Sequence, residues 1–348
     1  LTGSIFTDGL DMDVLAGNLS QEQAAAMTVT NGFDLTASGN MALSSITSQG
    51  GDITITAGGT LTDASPTRET AIITTNATDA TVTIQAAQIG SESEIGDVEI
   101  RSSHVASLSA TTGGIFVELQ RGGDLGAATA TGDIEITQSL GSLSLTDGVT
   151  SSAGSVGFAT VGGLIMDAGS SITAVDGVAL DAQGGDLALT SVTVLGSSTG
   201  TAISSLSASG DIIDGVPWVD GPSLADVDGW NVNAQGLLSI SATNIGAADQ
   251  RVNVRSADLS DVLASRQVYM AAAGTGTDTV TLGGGSATEG LFDLQLLSDS
   301  LVIAGSIEAS NVSLVVDNGT ISMEDGIRIV TYEDMDLIAN GDIALSQI

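Results

Sequence analysis

Three stretches of the chain repeat one pattern: LTASGNMALSSI at residues 35 to 46, LDAQGGDLALTSV at 180 to 192, and LIANGDIALSQI at 337 to 348. Leu35, Leu180 and Leu337 open them, and Ala37, Ala182 and Ala339 follow two positions later. A glycine then turns the chain into a hydrophobic–Ala–Leu segment. A second element recurs as IGSESEIGDVEIRSSHVASLSA from Ile89 and as IGAADQRVNVRSADLSDVLAS from Ile245. The offsets of 145, 157 and 156 residues define a long tandem unit. They divide the chain into the end of a preceding unit (1–34), a first unit (35–179), a second unit (180–336) with an inserted loop (214–230), and the start of a third (337–348). Tandem repetition belongs to arrays that grow by stacking like on like.

The repeated material is strand-like. Segments such as ITIT (53–56), TVTIQA (81–86), IFVEL (115–119), IEIT (134–137) and VSLVV (312–316) are short, β-branched and alternate with period two. Five strands share an entry, Gly-Asp followed by hydrophobic–x–hydrophobic, at Gly51, Gly96, Gly132, Gly185 and Gly341. Glycine suits a tight corner, and the aspartate is expected to bond back to its own turn. Two short segments compete as helices, QEQAAAM at 21 to 27 and ADLSDVLAS at 257 to 265, and the second fits a strand–turn–strand equally well. Aromatics are only 3% of the residues, too few for the usual sandwich or propeller core, whereas Ala, Val, Leu and Ile fill a narrow coiled sheet. The expectation is an all-β, parallel β-helix (β-solenoid) built from the long repeats. At roughly 20 residues per coil and about 4.8 Å between coils, it has about 17 coils over roughly 80 Å. Leu35, Leu43, Leu180, Leu189, Leu337 and Leu345 hold equivalent places and should point inward.

Charge removes several classes of function. With 42 acids against seven arginines the net charge is −35, which argues against nucleic acid, whose binding is driven by cations displacing phosphate counterions. Cysteine and lysine are both absent, so disulfides, thiolate metal sites, Schiff bases and lysine isopeptides are unavailable. No run of about 18 apolar residues is present to span a membrane. The chain opens at Leu1 without a signal peptide in view, and its third unit stops at Ile348, so the sequence reads as an excerpt from a longer polypeptide.

The cadence GGDITITAGGTLT at 50 to 62, with IGAADQRVNVRSADL and RQVYM after Ile245, resembles the filamentous haemagglutinin-type exoproteins and related giant repetitive bacterial surface adhesins. The resemblance implies a right-handed parallel β-helix, secretion to the cell surface, and service as an extended fibre. Partners would then be further copies or continuation of the chain end to end, and cell-surface glycans or proteins.

Several motifs carry other chemistry. Gly274, Gly276, Asp278 and Val280 match the core of a calcium-binding nonapeptide, with Asp278 as the metal ligand. Such sites need successive copies and one is present, so a glycine corner with a solvated aspartate is the other reading. Calcium is the one cofactor the sequence suggests, and with it a calcium-stabilised surface-layer or matrix component. Trp218 and Trp230 flank the densest loop signal, VPWVDGPSLADVDGW, a candidate contact loop. Acids such as Asp124, Asp133 and Asp147, and the pairs Glu324-Asp325 and Glu333-Asp334, would serve a polysaccharide-acting enzyme on the same scaffold. The scarcity of stacking aromatics speaks against that alternative. His104, the single histidine, reads as a corner residue, and no catalytic residue is assigned. Thr-x-Thr pairs (54/56, 81/83, 279/281) lie tens of residues apart and reflect β propensity, and sequons stand at Asn18, Asn76, Asn311 and Asn318.

Overall fold

The computed structural model describes residues 1–64, 72–92, 96–196, 202–215, 229–276, 279–297 and 299–346. The chain is a β-solenoid: all-β, without a helix among these residues, its parallel strands making about 14 turns over two compact units, Leu1–Gly162 and Gly163–Ile348.

Within each unit, side chains of one kind stack on their equivalents one turn away. In the first unit Leu10, Phe33, Ile53, Val82, Val105 and Leu125 form one inward file across six turns. In the second, Leu164, Leu187, Ile212, Ile245, Val268, Phe292, Val312 and Met335 form another. Interior members of these files are almost wholly buried, and each contributes about 1.5–3 kcal/mol. Phe292 fits because Gly285 leaves its space open, where a Cβ would press on the ring.

The turns are longer than the sequence spacing suggests, which is why they are fewer. Phe33 pairs with Ile53 after twenty residues, but Leu187 pairs with Ile212 after twenty-five and Val192 with Val232 after forty. The last of these spans the inserted loop. All five Gly-Asp corners lead into strands. Both helical candidates are overturned. Residues 258–273 form one long strand, and at 21 to 27 the chain turns around a buried Gln21. Gln21 Nε2 donates to the carbonyls of Ala25 and Ser45, while its Oε1 accepts the Ser44 N–H. A plug that bonds the backbone of three residues, Ala25, Ser44 and Ser45, wins over the helix propensity of three alanines.

Leu35, Leu43, Leu180 and Leu189 are buried as their repeated positions require. Leu337 and Leu345 are only half-buried: the strand Met335–Ala339 and the strand Ile343–Ala344 that Leu345 follows each pair with a neighbouring turn on one side alone among the described residues.

Candidate functional site

The corners are where polar side chains are spent. The Asp52 carboxylate accepts the Thr81 N–H (2.7 Å), Asp133 accepts that of Ser155 (2.7 Å), and Asp186 accepts that of Asp211 (2.8 Å). Asp211, from a sixth Gly-Asp corner at Gly210, accepts the N–H and side-chain amide of Asn244. These aspartates do not bond back to their own turn. They reach forward to the next one, because successive corners stack and present unpaired backbone N–H groups there. Asparagines do the same on other corners: Asn18 Oδ1 accepts the Asn40 N–H, and Asn40 Oδ1 accepts that of Thr60. One file of hydroxyls works in the opposite direction. Thr288, Ser310 and Thr331 each donate to the carbonyl one turn back, at Ser265, Thr288 and Ser310. At these corners carboxylates take N–H groups from the next turn and hydroxyls give to carbonyls of the last, while elsewhere Asp299 takes the Gly274 N–H one turn back and the hydroxyls of Ser4, Ser300 and Ser306 accept N–H groups one turn on.

A longer strap crosses three turns of the second unit. Tyr269 pairs in register with Asp293, and Arg251 stands in the same file one turn before. The Arg251 guanidinium lies 5.9 Å from the Tyr269 ring centroid and reaches past it to Asp293, at 2.5 Å.

A groove lies on the surface of the first unit. Asp79, Thr81, His104, Asp124, Thr146 and Asp147 line an open groove of about 530 Å³. Thr81, His104 and Asp124 are register partners on three successive turns, and His104 Nδ1 lies 2.9 Å from the Asp124 carboxylate. The groove brings together Asp124 and Asp147, two of the three acids singled out by spacing. Asp133 is elsewhere, holding its corner. His104 is therefore a strand residue, half exposed, in an ion pair when protonated.

Of the loop tryptophans, Trp218 lies outside the described residues and Trp230 is half-buried. The described residues on either side of the loop are joined to each other. Asn231 Nδ2 donates to Asp214 (2.8 Å) and to the Leu189 carbonyl (3.1 Å), while its Oδ1 accepts the Asn253 N–H. Asp278 also lies outside the described residues. Around it, the Gly274 N–H is held by Asp299, Gly276 has a left-handed φ of 106°, and Val280 is buried. Among the described residues no group of three or more His, Asp or Glu side chains is placed to hold a metal ion.

The chain matches no family model, no curated protein and no solved structure.

Turn-to-turn register also corrects the reading of the threonines. Thr54 and Thr56 stack directly against Asp34 and Thr36 on one side and Thr83 and Gln85 on the other. Pairs tens of residues apart are spatial neighbours, yet Asp34 and Gln85 interrupt the files. Two sequon asparagines, Asn18 and Asn311, are engaged in corner bonds.

Proposed function

We propose that this chain is a structural and adhesive segment of a giant secreted bacterial surface fibre. The observation that supports the reading is the use of the corner side chains: acids, amides and hydroxyls bond one turn to the next. A cysteine-free chain stitched in this way carries load through its backbone ladder and its corners. The remaining acids keep neighbouring copies apart, in keeping with the net charge of −35. Its partners are further units of its own kind joined end to end, and glycans or proteins of a cell surface, met through the loop that carries Trp218 and Trp230.

The test is immunogold labelling of intact cells, with electron microscopy of the native protein. Label on extracellular filaments is expected. Label confined to the cytoplasm, or compact particles of fixed size that cleave an acidic polysaccharide, would overturn the reading. In the latter case the groove at His104 and Asp124 is where an Asp124→Asn change should abolish the cleavage.

A further inference from the structure

The two units share one element that differs in a single chemical respect. Strands Val98–Arg101 and Val252–Arg255 occupy matching places in the second repeated motif. Each is followed by a serine, Ser102 or Ser256. Its hydroxyl accepts the N–H of the residue two positions on and donates to that residue's carbonyl. Inside these strands, Glu99 and Asn253 are equivalent, and they are 2% and 3% exposed. Glu99 pairs in register with Glu118 on the next turn, whereas Asn253 pairs with Ala271. The first unit therefore stacks two carboxyls where the second has an amide and a methyl group.

The surroundings of Glu99 are unfavourable to charge. Its Oε2 is buried without a hydrogen-bond partner among the described residues. Burial is the main cause that raises its carboxyl from an ordinary 4.5 to about 7. Its own backbone N–H acts against this, and the charges of Asp63, Asp97 and Glu118 add to it. Those acids come from the strand Thr60–Asp63, the Gly96–Asp97 corner and the strand Ile115–Leu119. On the remaining side, Ile73 and Thr74, which pair with Ile100 and Arg101, bring no charge among the described residues. Arg101, on the same strand as Glu99, is exposed.

We propose that Glu99 is a proton switch built into the first unit: protonated, it lets the Val98–Arg101 turn close as its neutral counterpart does around Asn253, and losing the proton loosens that turn. The sign follows from linkage. Between pH 4.5 and about 7 the folded chain holds this proton and the unfolded chain has released it. The stability it confers is complete below the ordinary value and is lost as pH rises through about 7.

The second unit supplies the internal control. Amide hydrogen exchange, corrected for intrinsic rates, is followed by mass spectrometry on the whole chain at a pH below and a pH above the Glu99 titration. In the wild type, protection of Val98–Arg101 should fall several-fold on the alkaline side, while protection of Val252–Arg255 stays level. In Glu99→Gln both segments should stay level, with Val98–Arg101 as protected above the titration as the wild type is below it. If Glu99→Gln fails to fold, Glu99→Asn, which carries the second unit's side chain, takes its place. Equal pH dependence of the two segments in the wild type would overturn the proposal. So would a neutral variant less protected than the wild type on the alkaline side, because ionised Glu99 would then be paired and stabilising.

Discussion

Leu189 and Asp186 sit three residues apart and show two ways in which single side chains hold a turn. Leu189 is fully buried at a position that recurs in all three copies of the motif. Leu189→Asp places a charge in the core, and a loss of several kcal/mol is expected in chemical denaturation. A midpoint near that of the wild type would place the residue outside. Asp186 acts through one acceptor atom, taking the Asp211 N–H at 2.8 Å. Asp186→Ala should therefore cost about 1 kcal/mol, whereas Asp186→Asn, which keeps an accepting oxygen, should cost much less. Equal losses in the two variants would mean that the charge, not the hydrogen bond, matters. The inward leucines were legible from repetition alone. The partner of Asp186 was not, because sequence shows that a Gly-Asp corner exists but not which backbone stacks above it. The corner at Gly210 was missed for a related reason. Its third strand position is Asp214, a buried acid bonded to Asn231, and the hydrophobic alternation is broken there.

At the scale of elements, alternation and glycine corners marked many of the strands, but not the long strand at 258–273, whose start also suited a helix. They were not enough to set the length of a turn. Loops between corners differ in length, so an average of twenty residues overstated the number of turns. Nor could they show ties that skip a turn, such as the one from Arg251 past Tyr269 to Asp293. Arg251→Met keeps the stem over the ring and removes the charge-assisted bond. A loss of about 1.5–3 kcal/mol is expected, because Asp293 is left largely buried without its partner. A double-mutant cycle with Asp293→Asn measures the coupling, and a coupling near zero would show that the strap contributes nothing.

At the scale of the whole molecule, 42 acids face seven arginines, and only some of those acids are used at corners. The rest make copies repel one another side by side, over a distance of about 10 Å at 0.1 M salt. Added salt or calcium should raise light scattering through lateral association while the far-UV circular dichroism stays unchanged. A change in the dichroism at the same concentrations would mean that the ions act on the fold itself. The account as a whole rests on which residue lies over which in successive turns, and a chain without cysteine allows that to be read directly. Thr36 and Thr56 are register partners on adjacent turns, and Gln85 stands in the same file one turn further. Adjacent turns lie about 4.8 Å apart, within reach of a disulfide, and alternate turns do not. Under mild oxidation the pair Thr36→Cys with Thr56→Cys should form an intramolecular disulfide nearly quantitatively, and Thr36→Cys with Gln85→Cys should remain reduced. Cross-linking of the second pair and not of the first would contradict the parallel stack from which every other statement follows.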